Sequence, residues 1–221
     1  MADSLELPAL YVEGQSDLHT IVHLLARHGI ELDKDLGPVL IKNAKSDKGV
    51  LDSMRTAARA STSRPVGFVV DADVPVARRW QSVCEHLKDL DLNLPGAPPT
   101  SGFLGDSPVS KARIGVWIMP DNVTDEGKLE NLVVTLVPPA DALIDHAREA
   151  TALAMARVAH LPAQDRLKEQ DQLKAELHCW LAWQKEPGLS FGTALKVHFF
   201  RHDSAVALRF VEWFKKLYGV P

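Results

Sequence analysis

Three carboxylates follow apolar segments of this sequence at positions where a β-strand would end. Glu13 comes directly after "ALYV", and Asp71 and Asp73 come after "VGFVV". Functional groups in open parallel sheets collect at the carboxyl ends of the strands, so these side chains meet in one crevice if the two strands are neighbours. Carboxylate oxygens are hard ligands that suit Mg²⁺ or Mn²⁺. The pattern therefore predicts a divalent metal site.

The residues around these carboxylates support the prediction and also offer a simpler explanation. Gly14 allows the chain to turn sharply after Glu13, or allows a ligand to approach the backbone, which makes it a candidate substrate-binding position. In Asp71-Ala72-Asp73, alternate residues of an extended chain point the same way, so both aspartates can face one metal. Aspartate is also common at strand ends because it bonds its own backbone in turns. The D-x-D spacing alone does not distinguish the two.

Apolar segments alternate with amphipathic ones over the first part of the chain, which implies βαβ units and a mostly parallel sheet. The predicted strands are 9–14, 38–44, 65–73, a short one at 101–105, and 112–120, and the predicted helices are 16–29, 48–61, 77–90 and 125–137. From 138 onward strand signals fade, and we predict helices over 140–161, 163–186 and 207–219. We expect an α/β core at 1–137 and a helical C-terminal extension at 138–221, packed on the core as one structural unit.

The apolar spacing of the helices predicts which side chains face the core. Ser16 is placed to cap the first helix and Gly29 to end it. The predicted inward residues are Leu18, Ile21, Val22, Leu25, Val50, Leu51, Met54, Ala58, Trp80, Val83, Cys84, Leu87, Leu90, Leu173, Leu177, Trp180, Leu181, Leu208, Val211, Phe214 and Leu217.

Composition and charge restrict the class of protein. The chain has 221 residues, a formal net charge of -4 and a pI near 6.1, which is not the basic character of a constitutive nucleic-acid binder. A metal bound by clustered carboxylates would reverse the local charge. No apolar run approaches the ~20 residues of a membrane span, and the N-terminus has no signal-peptide core. With Cys84 and Cys179 expected as reduced core thiols, we predict a cytoplasmic protein without a membrane segment.

The placement of these acids resembles the Toprim fold, the catalytic domain shared by topoisomerases, primases and nucleases of the overcoming-lysogenization-defect (OLD) type. The Toprim signature is a Glu after the first strand and a D-x-D after the third, here Glu13 and Asp71-Ala72-Asp73. The chain is most similar to a small Toprim-like family of bacterial proteins related to the OLD-type nucleases. The similar segments are "VEGQSDLHTIVHLL", "VVDADVPVARRW", "GVWIMPDNVTDEGKLENLV" and a tail with "WLAWQKEPGLSFGTALK" and "FVEWFKKLYG", and together they extend over most of the chain.

The resemblance implies a role for each acid. Glu13 would be the general acid/base or a metal ligand, and Asp71 and Asp73 would be metal ligands. Asp17 matches the E-x-x-x-D form of the nuclease branch, where the later Asp joins the metal site. Its alternative role is that of an acid favoured by the dipole at a helix N-terminus.

Acids after the predicted strand 112–120 extend the candidate set. Asp121 and Glu130 come from the end of that strand and from the following helix, and they would complete a second metal site. Alternatively, Asp121 is a turn residue and Glu130 a first-turn helix residue.

Three lysines are candidates for holding a phosphate. Lys45 and Lys48 follow the second strand, Lys48 being the candidate catalytic lysine, and Lys196 has a similar claim from the C-terminal part. Each is equally explained as a solvated surface residue. His19 and His23 have the spacing of a zinc pair, but they lie beside the buried face of their helix, and we do not assign them a metal.

The sequence lacks parts that several Toprim enzymes need. It has no separate domain for a nucleophilic Tyr, no zinc-module cysteine spacing and no P-loop, so any ATPase would be a separate chain.

Two hypotheses remain, with different partners. The first is a Mg²⁺- or Mn²⁺-dependent nuclease acting on nucleic acid, and the second is a non-catalytic module that binds a nucleotide, nucleic acid or a partner protein. Converging acidic oxygens would favour the enzyme, whereas a Lys or Arg neutralising Asp71 and Asp73 would favour the module. We further expect a separate ATPase or other regulatory protein, or self-association, through the helical part around Trp183.

Overall fold

A five-stranded sheet forms the centre of the computed structural model, which describes residues 7–32 and 37–221. Its strands are β1 (Ala9–Val12), β2 (Leu40–Asn43), β3 (Val66–Asp71), β4 (Phe103–Asp106) and β5 (Arg113–Met119). The order across the sheet is β2-β1-β3-β5-β4, and all neighbours are parallel except the β4–β5 pair. The predicted α/β class with a mostly parallel sheet is confirmed.

Helices cover both faces of this sheet. They are α1 (Gln15–Ala26), α2 (Asp47–Ala60), α3 (Val76–Leu87), α4 (Leu129–Val134), α5 (Ala142–Arg157), α6 (Gln172–Ala182), α7 (Phe191–Lys196) and α8 (Ala205–Tyr218). Apolar residues of α2 and α3 share one core with one face of the sheet. The other helices share a second core with the opposite face. The central strands are buried on both sides, which explains their continuous apolar sequences.

The helical C-terminal extension packs directly on the sheet, as expected from its apolar face. Trp213 of α8 lies against Trp117 of β5, with ring centroids 5.8 Å apart, and its Nε1 donates a hydrogen bond to the carbonyl of Phe103 at 3.1 Å. The hydroxyl of Tyr218 donates to the carbonyl of Ala9 at 2.7 Å. One hydrophobic cluster therefore contains residues from both sides of position 138, although the boundary itself stays a prediction.

Several predicted helix limits are wrong for local reasons. Instead of 125–137, α4 spans only Leu129–Val134, because Glu126 has a positive φ of 54° and the preceding residues form a loop. Instead of 163–186, α6 begins at Gln172, after two short 3₁₀ turns. The helix α1 begins one residue before Ser16, with extended Gly14 at the N-cap position.

Most of the predicted inward side chains are buried, and Leu208 is the clear exception at 44% exposure. Helix α8 buries a face that contains Ala207, Phe210, Val211 and Phe214, so Leu208 points outward. Leu18, Val22, Cys84 and Leu173 are only partly buried. Both cysteines are free thiols.

The two tryptophans of the helical part differ in exposure. Trp180 is buried against Phe200, whereas Trp183 is 42% exposed and its ring lies 5.0 Å from that of His146.

Among the described residues, no helix has both the length and the apolar character that crossing a membrane requires.

The close contact between β5 and α8 leads to a stability prediction. A Cβ on Gly115 would lie 2.5 Å from a methyl of Leu217 and 3.0 Å from the indole of Trp213. We expect Gly115→Ala to lower the free energy of unfolding by about 1–3 kcal/mol, because overpacking forces neighbouring side chains to move. Urea denaturation measures the change. Gly96→Ala is the control, since among the described residues no atom beyond the chain neighbours lies within 4 Å of a Cβ at that position. Equal stability of the two variants would contradict this packing.

Candidate metal centre

A crevice of about 970 Å³ opens at the carboxyl ends of β1 and β3. It is lined from five segments, 13–17, 45–46, 71–73, 126–131 and 169–174. The chain runs from β1 to β2 on one side and returns to β3 on the other side of β1, and ligands of open sheets bind where the strand order reverses in this way. The last segment belongs to the helical extension, which therefore forms one wall of the crevice.

Glu13, Asp71 and Asp73 come together in this crevice, as the sequence predicts. One carboxylate oxygen from each lies within 4.8 Å of the other two. The amide N–H of Asp71 donates a hydrogen bond of 2.7 Å to Oε1 of Glu13, which links the ends of the two neighbouring strands. The cluster also contains a vacant acceptor: Oδ1 of Asp71 is buried and has no hydrogen-bond partner in the described part of the chain.

Asp73 reaches the cluster through a turn, so the expected extended alternation of Asp71 and Asp73 is wrong. Strand β3 ends at Asp71, and Asp73 has a positive φ of 44°. The turn is held by the loop before α4, since the N–H of Ala72 donates to the carbonyl of Gly127 at 2.7 Å. Gly127 has no room for a Cβ, which would lie 2.2 Å from Pro120. The two loops therefore position Asp73 jointly.

Two cations contact Asp73. Nζ of Lys128 lies 3.1 Å from Oδ1, and Nη2 of Arg79 lies 3.6 Å from Oδ2. Arg79 is a buried residue of α3 that also donates from Nε to the carbonyl of Ala72 at 3.2 Å and from Nη2 to Asp47 at 3.2 Å. Burial opposes the charge of Lys128, but the hydrogen bond and negative charge of Asp73 outweigh it and raise the pKa of the amine.

Burial raises the pKa of three carboxyls in the crevice. Desolvation, together with the neighbouring acids, raises the pKa of Asp71 to about 9. Desolvation also raises the pKa of Glu13 to about 7, although the hydrogen bond from the Asp71 amide opposes the rise. The pKa of Asp17 rises to about 6, chiefly by burial, with the charge of Glu130 adding to it. These acids repel one another in the absence of a cation.

A second acidic pair lies beside the first cluster. Asp17 is buried in the first turn of α1, close to Gly14, where a Cβ would lie 3.1 Å from Oδ2 of Asp17 and would be tightly packed. Glu130 faces the same crevice, and its Oε1 lies 3.6 Å from Nζ of Lys174 in α6. The structure thus brings the predicted residues Asp17, Gly14 and Glu130 into the crevice.

Of the remaining predicted site residues, one lines the crevice and three do not. Lys45 lines the crevice, whereas Lys48, Lys196 and Asp121 are not among its lining residues. Lys48 is exposed in the first turn of α2, and Lys196 is exposed at the end of α7. The pKa of His23 is lowered chiefly by burial, and the positive charge of Lys196 adds to this effect. Asp121 accepts hydrogen bonds from the backbone of Val123 and Thr124, which is the turn role considered as its alternative.

The sequence did not single out the cations that complete the site. Lys128 precedes the first turn of α4, where a positive charge opposes the helix dipole, and that unfavourable position was a usable signal. Arg79 follows another Arg on α3, and helical spacing does not show that its guanidinium is buried between two loops. Lys174 comes from a helix far along the chain, and no local pattern links it to Glu130.

The donor set fits a hard divalent cation. Oxygens on opposite sides of an octahedral Mg²⁺ are about 4.2 Å apart, because each bond is about 2.1 Å long. The three oxygens lie within 4.8 Å of one another, so small side-chain movements would bring them into such a shell. The two structural criteria that distinguish an enzyme from a binding module point in different directions. The acidic oxygens converge, but Lys128 and Arg79 already contact Asp73, while Asp71 is in no ion pair among the described residues.

Comparison with known families identifies the family of this chain. A family described as "Protein of unknown function (DUF3226)" matches residues 8–219, which is nearly the whole chain, and the chain belongs to this family. No curated protein and no solved structure matches it significantly.

The raised pKa values predict how stability depends on pH. Between the ordinary carboxyl value near 4 and the folded values of about 6, 7 and 9, the folded chain holds protons that the unfolded chain has released. The stabilisation from these three groups is therefore complete below about pH 4 and is lost as the pH rises to about 9. Urea unfolding in EDTA at pH 5, 7 and 9 should show a falling free energy of unfolding, and a rise over this range would contradict the burial of these acids.

Asp71→Asn separates the stability cost of the acid from its proposed use. In EDTA at pH 8 we expect the variant to be more stable than the wild type by on the order of 1–3 kcal/mol, because the amide is always neutral, whereas Asp71 must take up a proton on folding that the unfolded chain has released. Adding Mn²⁺ should raise the melting temperature of the wild type and not that of the variant. Asp52→Asn, at an exposed position of α2, is the control and should change neither result. A destabilised Asp71→Asn variant that still responds to Mn²⁺ would contradict the assignment.

Proposed function

We propose that this member of the DUF3226 family is a Mg²⁺- or Mn²⁺-dependent nuclease that hydrolyses phosphodiester bonds of nucleic acid. The observation that supports this proposal best is the convergence of Glu13, Asp71 and Asp73 at the ends of neighbouring parallel strands. The resemblance to the Toprim signature rests on the same three residues. The vacant acceptor on Asp71 adds support, because a buried oxygen without a donor is stabilised by a cation.

The proposed chemistry assigns a role to each acid. Asp71 and Asp73 hold the metal, with Asp17 and Glu130 available on the neighbouring wall for a second one. When bound, a divalent cation neutralises charge on the phosphate and lowers the pKa of water. Glu13 accepts or donates the proton, since one of its oxygens lies within 4.8 Å of the Asp71 and Asp73 oxygens that would hold the metal.

The negative charge of the crevice implies that the metal binds before the substrate. Eight carboxylates and three lysines line it, so it repels a phosphate until cations are bound. Lys45 on the rim is the predicted lysine that remains close enough to contact the substrate backbone.

A non-catalytic binding module is the second candidate. The observation that favours it is the neutralisation of Asp73 by Lys128 and Arg79. Regulation by a separate ATPase, docking of another protein at the exposed Trp183, and self-association belong to either candidate as proposals.

Cleavage assays with Glu13→Gln test the nuclease. Purified wild type is incubated with single-stranded DNA, duplex DNA and RNA in the presence of Mn²⁺ or Mg²⁺. We expect Glu13→Gln to lose about 10²- to 10⁴-fold in rate, because the amide cannot transfer a proton. Glu186→Gln, at an exposed glutamate outside the crevice lining, should retain the wild-type rate.

Two results would count against this function. Equal cleavage by wild type and Glu13→Gln would identify a contaminating nuclease. Absence of cleavage on all three substrates, together with retained nucleic-acid or nucleotide binding, would favour the binding module.

A further inference from the structure

We propose that Lys128 and the metal are alternative partners of Asp73, so that metal binding releases the Lys128 amine to hold the phosphate group of the substrate. This inference rests on the proposed function and adds the residue that anchors the phosphate. It begins from the two ion pairs of Asp73. Both of its oxygens are engaged, Oδ1 by Lys128 at 3.1 Å and Oδ2 by Arg79 at 3.6 Å. A metal ion bound to Asp73 would be repelled by these two positive charges, so metal binding favours the withdrawal of one of them.

Arg79 is the cation that stays. It is only 6% exposed, and besides Asp73 it contacts the carbonyl of Ala72 and the carboxylate of Asp47. Its guanidinium presents several donors in a rigid plane, so the loss of one contact does not release it. Arg79 holds the turn that carries Asp73 whether or not a metal is present.

Lys128 is the cation that leaves. Its backbone is fixed, because its N–H donates to Oδ1 of Asn131 at 2.8 Å, but its amine is carried on a flexible four-carbon stem. Within residues 7–32 and 37–221, Asp73 is its one ion-pair partner. The side chain is 27% exposed and lines the crevice, so the amine can turn away from Asp73 without leaving the site.

The released amine then faces the place where a phosphate would lie. An ammonium that has lost its carboxylate partner gains most from another anion within reach. A phosphate oxygen beside the metal is such an anion, and contact with it compensates for the broken pair. Metal and phosphate consequently bind with positive coupling, and by linkage each strengthens the other by the same factor.

Calorimetric titration of Mn²⁺ into folded full-length variants tests the competition. Lys128→Met should bind Mn²⁺ about two- to fivefold more tightly than the wild type, because the competing ion pair is gone. Lys128→Arg, which keeps the charge, should stay near the wild type. Lys45→Met is the matched control, since Lys45 also lines the crevice and is not among the ion-pair partners of Asp73. Its affinity should change less than that of Lys128→Met, and circular dichroism checks that each variant is folded.

Sulfate, used as a phosphate mimic at constant ionic strength, tests the second half of the proposal. Mn²⁺ should tighten sulfate binding to the wild type, and Lys128→Met should lose most of this coupling. Equal gains in Mn²⁺ affinity for Lys128→Met and Lys45→Met would reveal a general charge effect and overturn the inference, as would sulfate coupling that survives in Lys128→Met. In both cases the metal site itself would stand. A wild type that binds no Mn²⁺ would overturn the proposed function together with the inference.

Discussion

The hydrogen bond from the Asp71 amide to Oε1 of Glu13 is the contact on which the acidic site depends. It fixes a side chain of one strand end to the backbone of its neighbour, so the carboxylates of Glu13 and Asp71 are held close despite their repulsion. Such an arrangement needs a rigid frame, and the sheet supplies it because helices cover both of its faces. The same covering removes water from the acids and raises their pKa values. The fold thus keeps its acids close together at a cost in stability that a bound cation would offset.

The two loops beside this contact stabilise each other. The turn after β3 and the loop before α4 exchange backbone hydrogen bonds, from Ala72 to Gly127 and from Glu126 to Val74. Arg79 closes the arrangement from the other side by binding the carbonyl of Ala72. The position of Asp73 is therefore determined by three separate parts of the chain, and a change in any of them would displace this carboxylate.

The sequence was sufficient to predict the sheet and the acids at its strand ends, because both follow from local patterns. Apolar runs that end in Glu13 and Asp71 mark buried parallel strands, and the ends of such strands meet at one edge. The partners of the acids could not be predicted in the same way. Arg79 and Lys174 approach through tertiary packing, and helical periodicity does not reveal which polar residue faces a loop. Asp121 is a case in which the local pattern misleads, because this carboxylate at a strand end accepts hydrogen bonds within its own turn and does not line the crevice.

The hydrogen bond between Tyr218 and Ala9 determines where the two ends of the described chain leave the fold. Ala9 opens β1, and the crevice lies beyond the other end of that strand, about 13 Å away at the usual rise per residue. Gly67 makes room for this bond, because a Cβ there would lie 2.7 Å from the Tyr218 oxygen. Polypeptide joined after Tyr218 thus emerges beside the start of β1, at the end of the sheet opposite the acids. A fused tag or fluorescent label at that end would leave the mouth of the crevice unobstructed.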